Sequence, residues 1–162
     1  MIKINQKMLR FLCDLYESKE SLLSSRLKEI IDGGVIEEDG CWFLARCRVG
    51  GLPHISIVQN QTGMECFVNH IHTEDYIGTD FAILQEQGLI FVCALRRILE
   101  PLGSFNIIMS VSWTDFDDAP NHLSCTVRFH KIRAGETWLT EDLEGYLDGI
   151  LQIGTGESSV SE

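Results

Sequence analysis

The stretch DFAILQEQGLIFVCALRRIL, residues 80 to 99, decides the architecture. It is the longest helical pattern in the chain, apolar on more than one side, and Pro101 and Gly103 stop it. A helix apolar on several sides needs cover from several directions, so it is expected to be the central helix of the core. Downstream, SFNIIMSVSW and LSCTVRFHKIR read as two strands joined by the acidic connection TDFDDAPNH.

Upstream lies VIEEDGCWFLARCRVGGLPHISIVQNQTGMECFVNHIH, rich in β-branched and aromatic residues. Turn signals at Asp39-Gly40, Gly50-Gly51 and Thr62-Gly63 predict an antiparallel meander of about four strands. Before it, Met8, Leu9, Phe11, Leu12 and Leu15, then Leu23, Leu27, Ile30 and Ile31, fall at helical spacing. They predict two helices divided near Ser18, the second stopped by Gly33-Gly34. At the other end Leu143, Tyr146, Leu147, Ile150 and Leu151 form a helical stripe, with Thr140 as N-cap and Glu141 and Asp142 in the first turn. Gly145 and Gly149 would share one side of that helix at a cost of about 1 kcal/mol each relative to alanine, so either a backbone approaches there or the face tolerates weakness.

The order of helices, strands, helix, strands, helix predicts an α+β domain. Its antiparallel sheet of about six strands packs against a central helix, with N-terminal helices and a C-terminal helix. A single domain over 1–153 is expected, followed by a disordered tail over 154–162, where GTGESSVSE has nothing to bury.

With 162 residues and 44% hydrophobic content, the chain can bury an independent core. It contains no run of about 18 apolar residues, and MIKINQKMLR lacks the features of a signal peptide, so a soluble cytoplasmic protein is expected. The six cysteines form no CxxC pair and read as buried free thiols; Asn60-Gln61-Thr62 is then an ordinary turn.

Net charge is −11, and it is uneven. From Trp113 onward there are 10 acids against Arg128, Lys131 and Arg133, so that segment carries −7 of the total. Such a field repels nucleic acid and anionic membrane and steers basic partners inward.

Several patterns carry potential chemistry. His70-x-His72 places two imidazoles on one face of a strand near Glu65, Glu74 and Asp75, the beginnings of a zinc site, although no HExxH or second His/Cys cluster accompanies it. Asp115, Asp117 and Asp118 crowd one loop without the glycine and closing glutamate of a calcium loop, and Phe116 at its tip suits a protein contact. No nucleophile elbow or phosphate loop is present, so neither a cofactor nor a metal is expected. Two helices followed by IIDGGVIEEDGCWFLARC resemble the end of a recognition helix leading into the hairpin of a winged-helix DNA-binding domain, but Lys19 to Val49 holds five basic residues against six acids, where a DNA reader presents a basic face.

In RFHKIRAGETWL, Arg128 and His130 alternate with Phe129 and Lys131, AGET forms a turn, and Trp138 and Leu139 fold back onto the core. The stretch FHKIRAGETWLTEDLEGYLDGIL resembles the C-terminal segment of small bacterial immunity proteins that accompany polymorphic toxins, including those of contact-dependent growth inhibition. The resemblance rests on Gly135, Glu136, Trp138, Leu139, Asp142, Leu143, Glu144 and Tyr146. It implies a non-catalytic protein that binds a toxin domain and blocks its active site. With the acidic surface, a basic nuclease toxin is the expected partner, contacted through Asp115, Phe116, Asp117, Asp118, Glu141, Asp142 and Glu144. The alternatives are a small metal-dependent enzyme using His70 and His72, or a winged-helix-like regulator.

Overall fold

The computed structural model describes residues 1–12, 22–116 and 119–156, without the side chains of residue 55 and of 113–122. The expected break near Ser18 and the carboxylates Asp117 and Asp118 lie outside the described residues. For Asp115 and Phe116 only the backbone is described.

Strand β1 (Ile2–Ile4) leads into helices α1 (Gln6–Leu12) and α2 (Ser25–Asp32). A hairpin of β2 (Val35–Glu38) and β3 (Cys41–Leu44) follows, then helices α3 (Ile55–Val58) and α4 (Gln61–Val68), strand β4 (Ile71–His72) and helix α5 (Glu74–Ile77). The long helix α6 (Phe81–Leu99) precedes β5 (Phe105–Phe116), β6 (Ala119–Lys131) and β7 (Gly149–Gly154). The five-stranded sheet has the order β1-β7-β5-β6-β4, every neighbouring pair antiparallel, while β2 and β3 pair only with each other. The α+β class and the multi-strand antiparallel sheet are as expected.

Helix α6 is the central helix. Asp80 caps it by accepting from the Ile83 amide at 3.0 Å, and a 3-10 turn over Glu100–Leu102 ends it. Phe91, Val92 and Leu95 join one core with Ile107, Met109 and Val111 of β5 and Cys125, Val127 and Phe129 of β6. Gly88 lies where the helix crosses the sheet: a Cβ there would stand 2.7 Å from Met109 Cε and 3.1 Å from Cys125 Sγ.

The meander is confined to the β2–β3 hairpin. Beyond it, Asn60 accepts from the Gly63 amide at 2.8 Å and starts α4 where strands were expected. The helix wins because one turn face carries Glu65, and Asn69 caps the end; both are fully buried and both bind strands. Glu65 accepts from the Trp42 amide (2.8 Å), the Lys131 amide (2.8 Å) and both terminal nitrogens of Arg133 (2.7 and 2.8 Å). Asn69 accepts from the Leu44 amide at 2.9 Å and donates to the carbonyls of Trp42 (2.8 Å) and Phe129 (3.3 Å). The hairpin is therefore stitched to β6 by side chains of α4.

Of the C-terminal helix only a 3-10 turn, Leu143–Gly145, is formed; Ile150 and Leu151 of the apolar stripe enter β7, and Tyr146 and Leu147 lie between the two. The physical reason is Asn5, which is fully buried and satisfied on all sides. It donates to the Leu143 (3.1 Å) and Asp148 (2.9 Å) carbonyls and accepts from the Met8 and Ile150 amides (both 2.9 Å). Strand β7 is apolar on both faces because Leu151 joins the α6 core while Ile150 packs with Ile108 and Leu143, which mimics a helical stripe in sequence. The approach of a backbone at Gly149 is real but occurs on a strand: a Cβ would lie 3.1 Å from both Met8 N and Met8 Cα. Gly154, expected to open a tail, instead ends β7. Thr155 is buried, donating to the Gly103 carbonyl and accepting from the Phe105 amide.

Removing one member of a buried ion pair strands the other charge. Glu65→Ala is expected to lower the unfolding free energy by about 3–5 kcal/mol in urea denaturation. A loss below about 1 kcal/mol would show that the pair does not hold the hairpin to the sheet.

Candidate functional site

One face of the central sheet is covered by α6; on the other, Ser110, His70, His72 and Arg128 are half-buried and Ile108, Thr126 and His130 are buried. Pairing places His72 opposite Thr126, and Thr126 opposite Ser110. The next row along β6 carries Arg128 opposite Ile108, with His70 beside Arg128. The expectation that His70 and His72 share a face is met, with ring centroids 4.3 Å apart.

Their partners decide their chemistry. Arg128 donates from a terminal nitrogen to His70 Nε2 at 2.7 Å, which engages that ring nitrogen's lone pair. Burial, the Arg128 charge and His72 push the His70 pKa down to about 4, so the ring is neutral at pH 7. His72 contacts Glu74 through Nδ1 at 3.1 Å, and Glu74 also accepts from Ser124 Oγ (2.6 Å) and the Cys125 amide (3.0 Å). Burial opposes ionisation of Glu74, but the bonds from Ser124, backbone amides and His72 outweigh it and hold the carboxyl below its ordinary range. Among the described residues no group of three His, Cys, Asp or Glu side chains could hold a metal ion, and Arg128 occupies one of the two His70 ring nitrogens.

Above this face the chain folds back. The Arg133–Glu136 bridge closes the AGET turn, and the Trp138 ring lies 5.1 Å from the Arg128 guanidinium carbon. Trp138 also borders a hollow of about 320 Å³ with Ile57 and Phe67, and a second groove that reaches Glu141. Ile57, Phe67 and Trp138 are 70%, 58% and 40% exposed. This apolar group was not legible in sequence, because an exposed phenylalanine within an apolar helix has no local signature.

The three carboxylates proposed on the C-terminal segment are all exposed. Asp142 and Glu144 also have local tasks: Asp142 accepts from the Glu144 amide at 3.0 Å and Glu144 from the Gln6 amide at 2.9 Å. Thr140 is not an N-cap; its hydroxyl donates to the Asp142 carbonyl at 3.1 Å. Leu147, expected on a buried stripe, is 92% exposed between Glu144 and Asp148. Cys41, Cys66 and Cys125 are buried free thiols as expected, and burial pushes Cys125 up to about 12, whereas Cys93 is exposed. No helix among the described residues is long and apolar enough to cross a membrane.

Because His70 has a lower pKa folded than its ordinary 6.5, the unfolded chain binds more protons between those values. Stability should therefore fall as the pH drops from 7 towards 4, and the depressed Glu74 adds to the loss at the acid end. Thermal unfolding at pH 7 and pH 5 should show the decline, and His70→Gln should make it shallower. An identical slope in the variant would remove His70 as its source.

The sequence model of one family, described as Uncharacterized protein PM0498 family, matches residues 3–162. No curated protein and no solved structure matches the chain. Since the match spans almost the whole sequence, the chain belongs to the Uncharacterized protein PM0498 family.

Proposed function

We propose that this protein is an immunity protein that binds a basic toxin domain, a nuclease being the favoured target, and occludes its active site. The observation that carries the reading is the Glu141–Glu144 turn: its three carboxylates are exposed, those of Asp142 and Glu144 are held in place by backbone amides, and Leu147 nearby in sequence is 92% exposed. Fixed carboxylates meet a cationic cleft without the entropy loss of ordering long side chains, and an apolar side chain among them supplies an anchor that excludes water. Trp138 extends the same surface towards Ile57 and Phe67, so apolar anchors adjoin a charged margin, the usual anatomy of a protein interface. The resemblance of residues 129–151 to immunity-protein segments supports the choice of partner. Asp115, Asp117 and Asp118 belong to the same proposal on charge alone, with Phe116 as its apolar anchor.

Occlusion accounts for inhibition without any chemistry by this chain. An acidic surface in the cleft of a nuclease occupies the places of phosphates and gains the same electrostatic attraction. The cognate toxin is expected as the C-terminal domain of a large protein encoded immediately upstream. Co-expression with that domain should restore growth and give a complex that survives purification at moderate salt; neither rescue nor complex, with both proteins folded, would overturn the reading. Asn and Gln preserve the local acceptor roles of Asp142 and Glu144. The triple variant Glu141→Gln, Asp142→Asn, Glu144→Gln should therefore keep its fold, bind about tenfold or more weakly and show a flatter salt dependence.

A further inference from the structure

Among the described residues, the arginines most withdrawn from water have partners, with one exception. Arg48 is paired with Glu38 and Arg133 with Glu65, each through two nitrogens. Arg128 is half-buried yet forms no ion pair with any described carboxylate. In a chain with 24 acids and 13 lysines and arginines, a lone half-buried cation is unexpected, because a withdrawn charge is costly unless paired.

Its surroundings explain how it persists. His70 Nε2 takes one of its five N–H donors, Trp138 lies against the guanidinium, and no other described group accepts from it. These two contacts fix the fork without neutralising it. The neighbouring positions on the same face, Thr126, Ser110 and His72, are hydroxyls and an imidazole rather than carboxylates. The nearby carboxylate of Glu74 is already bound to Ser124, Cys125 and His72. The half-buried sheet face thus presents a held cation bordered by hydroxyls inside an otherwise acidic protein.

We infer that Arg128, steadied by His70 and Trp138, is the anchor of an oxyanion-binding site on the face of the central sheet opposite α6. The group it takes is a carboxylate or a phosphate, met by the free edge of the guanidinium, with the Ser110 and Thr126 hydroxyls beside it. Both groups match the planar fork, and charge-assisted bonds of this kind are about twice as strong as neutral ones. Through Trp138 the site adjoins the surface that leads to the acidic turn, but it does not depend on the identity of a protein partner.

The test uses the full chain, isotopically labelled, with inorganic phosphate and acetate titrated separately at constant ionic strength maintained with sodium chloride. Saturable shifts of the Arg128 side-chain Nε–H, the Trp138 indole and the His70 ring are expected. Saturation by phosphate alone assigns a phosphoryl ligand, by acetate alone a carboxylate, and by both an oxyanion of either kind. Arg128→Gln should abolish the shifts. Arg128→Lys, which keeps the charge and loses the fork, should weaken binding about tenfold and decides the matter if the glutamine variant does not fold. Shifts that never saturate, or that persist unchanged in Arg128→Lys, mean an adventitious ion only and overturn the inference.

Discussion

The carboxylate of Glu65 is the constraint on which the rest of the molecule depends. It is removed from water, and a charge in that position is tolerated only when its lone pairs are occupied and a cation is near. Arg133 supplies the cation and two donors, and the amides of Trp42 and Lys131 complete the set. Those donors come from the hairpin, from the end of β6 and from the chain leaving it, so satisfying one side chain brings three segments together. Arg133 also donates to the Gly40 carbonyl at 2.8 Å, which holds the tip of the hairpin to the same point.

The position of the functional surfaces follows. Once Arg133 is anchored, the chain leaving β6 must turn within a few residues, and Trp138 lands on the sheet face opposite α6, against Arg128. From there the backbone runs through the acidic turn to Asn5, whose amide takes the Leu143 and Asp148 carbonyls and starts β7 in register with β5. Two buried polar side chains, one at each end of the returning segment, therefore define the path on which Trp138, Glu141, Asp142, Glu144 and Leu147 are displayed. This is a use of buried polar groups to specify geometry: each is fully bonded, and displacing either would leave buried donors and acceptors unpaired.

Much of the frame was legible in the chain. The 80–99 segment is helical because its apolar residues surround a long helix and a capping aspartate precedes it, and the 105–131 region is a hairpin because its β-branched and aromatic residues alternate. The pairing of His70 and His72 on one face was legible from their spacing. The function of that pair was not, because the partner that occupies His70 lies 58 residues away in sequence. The acidic residues of the C-terminal segment were visible, whereas the local tasks of Asp142 and Glu144 and the exposure of Leu147 were hidden by the expectation of a helix.

The sequence by itself determined the α+β class, the central helix, the long hairpin and the acidic balance, because each depends on local periodicity, capping or a count of charges. Tertiary structure alone decided whether apolar runs became strands or helices where both fitted. Residues 149–154 are apolar on both sides in either form, and the edges of β5 and β1 with the clamp at Asn5 favour the strand. It also decided that Arg128 would stand without a carboxylate, since the pairing of a charge depends on which distant residues reach it and not on how many opposite charges the chain contains.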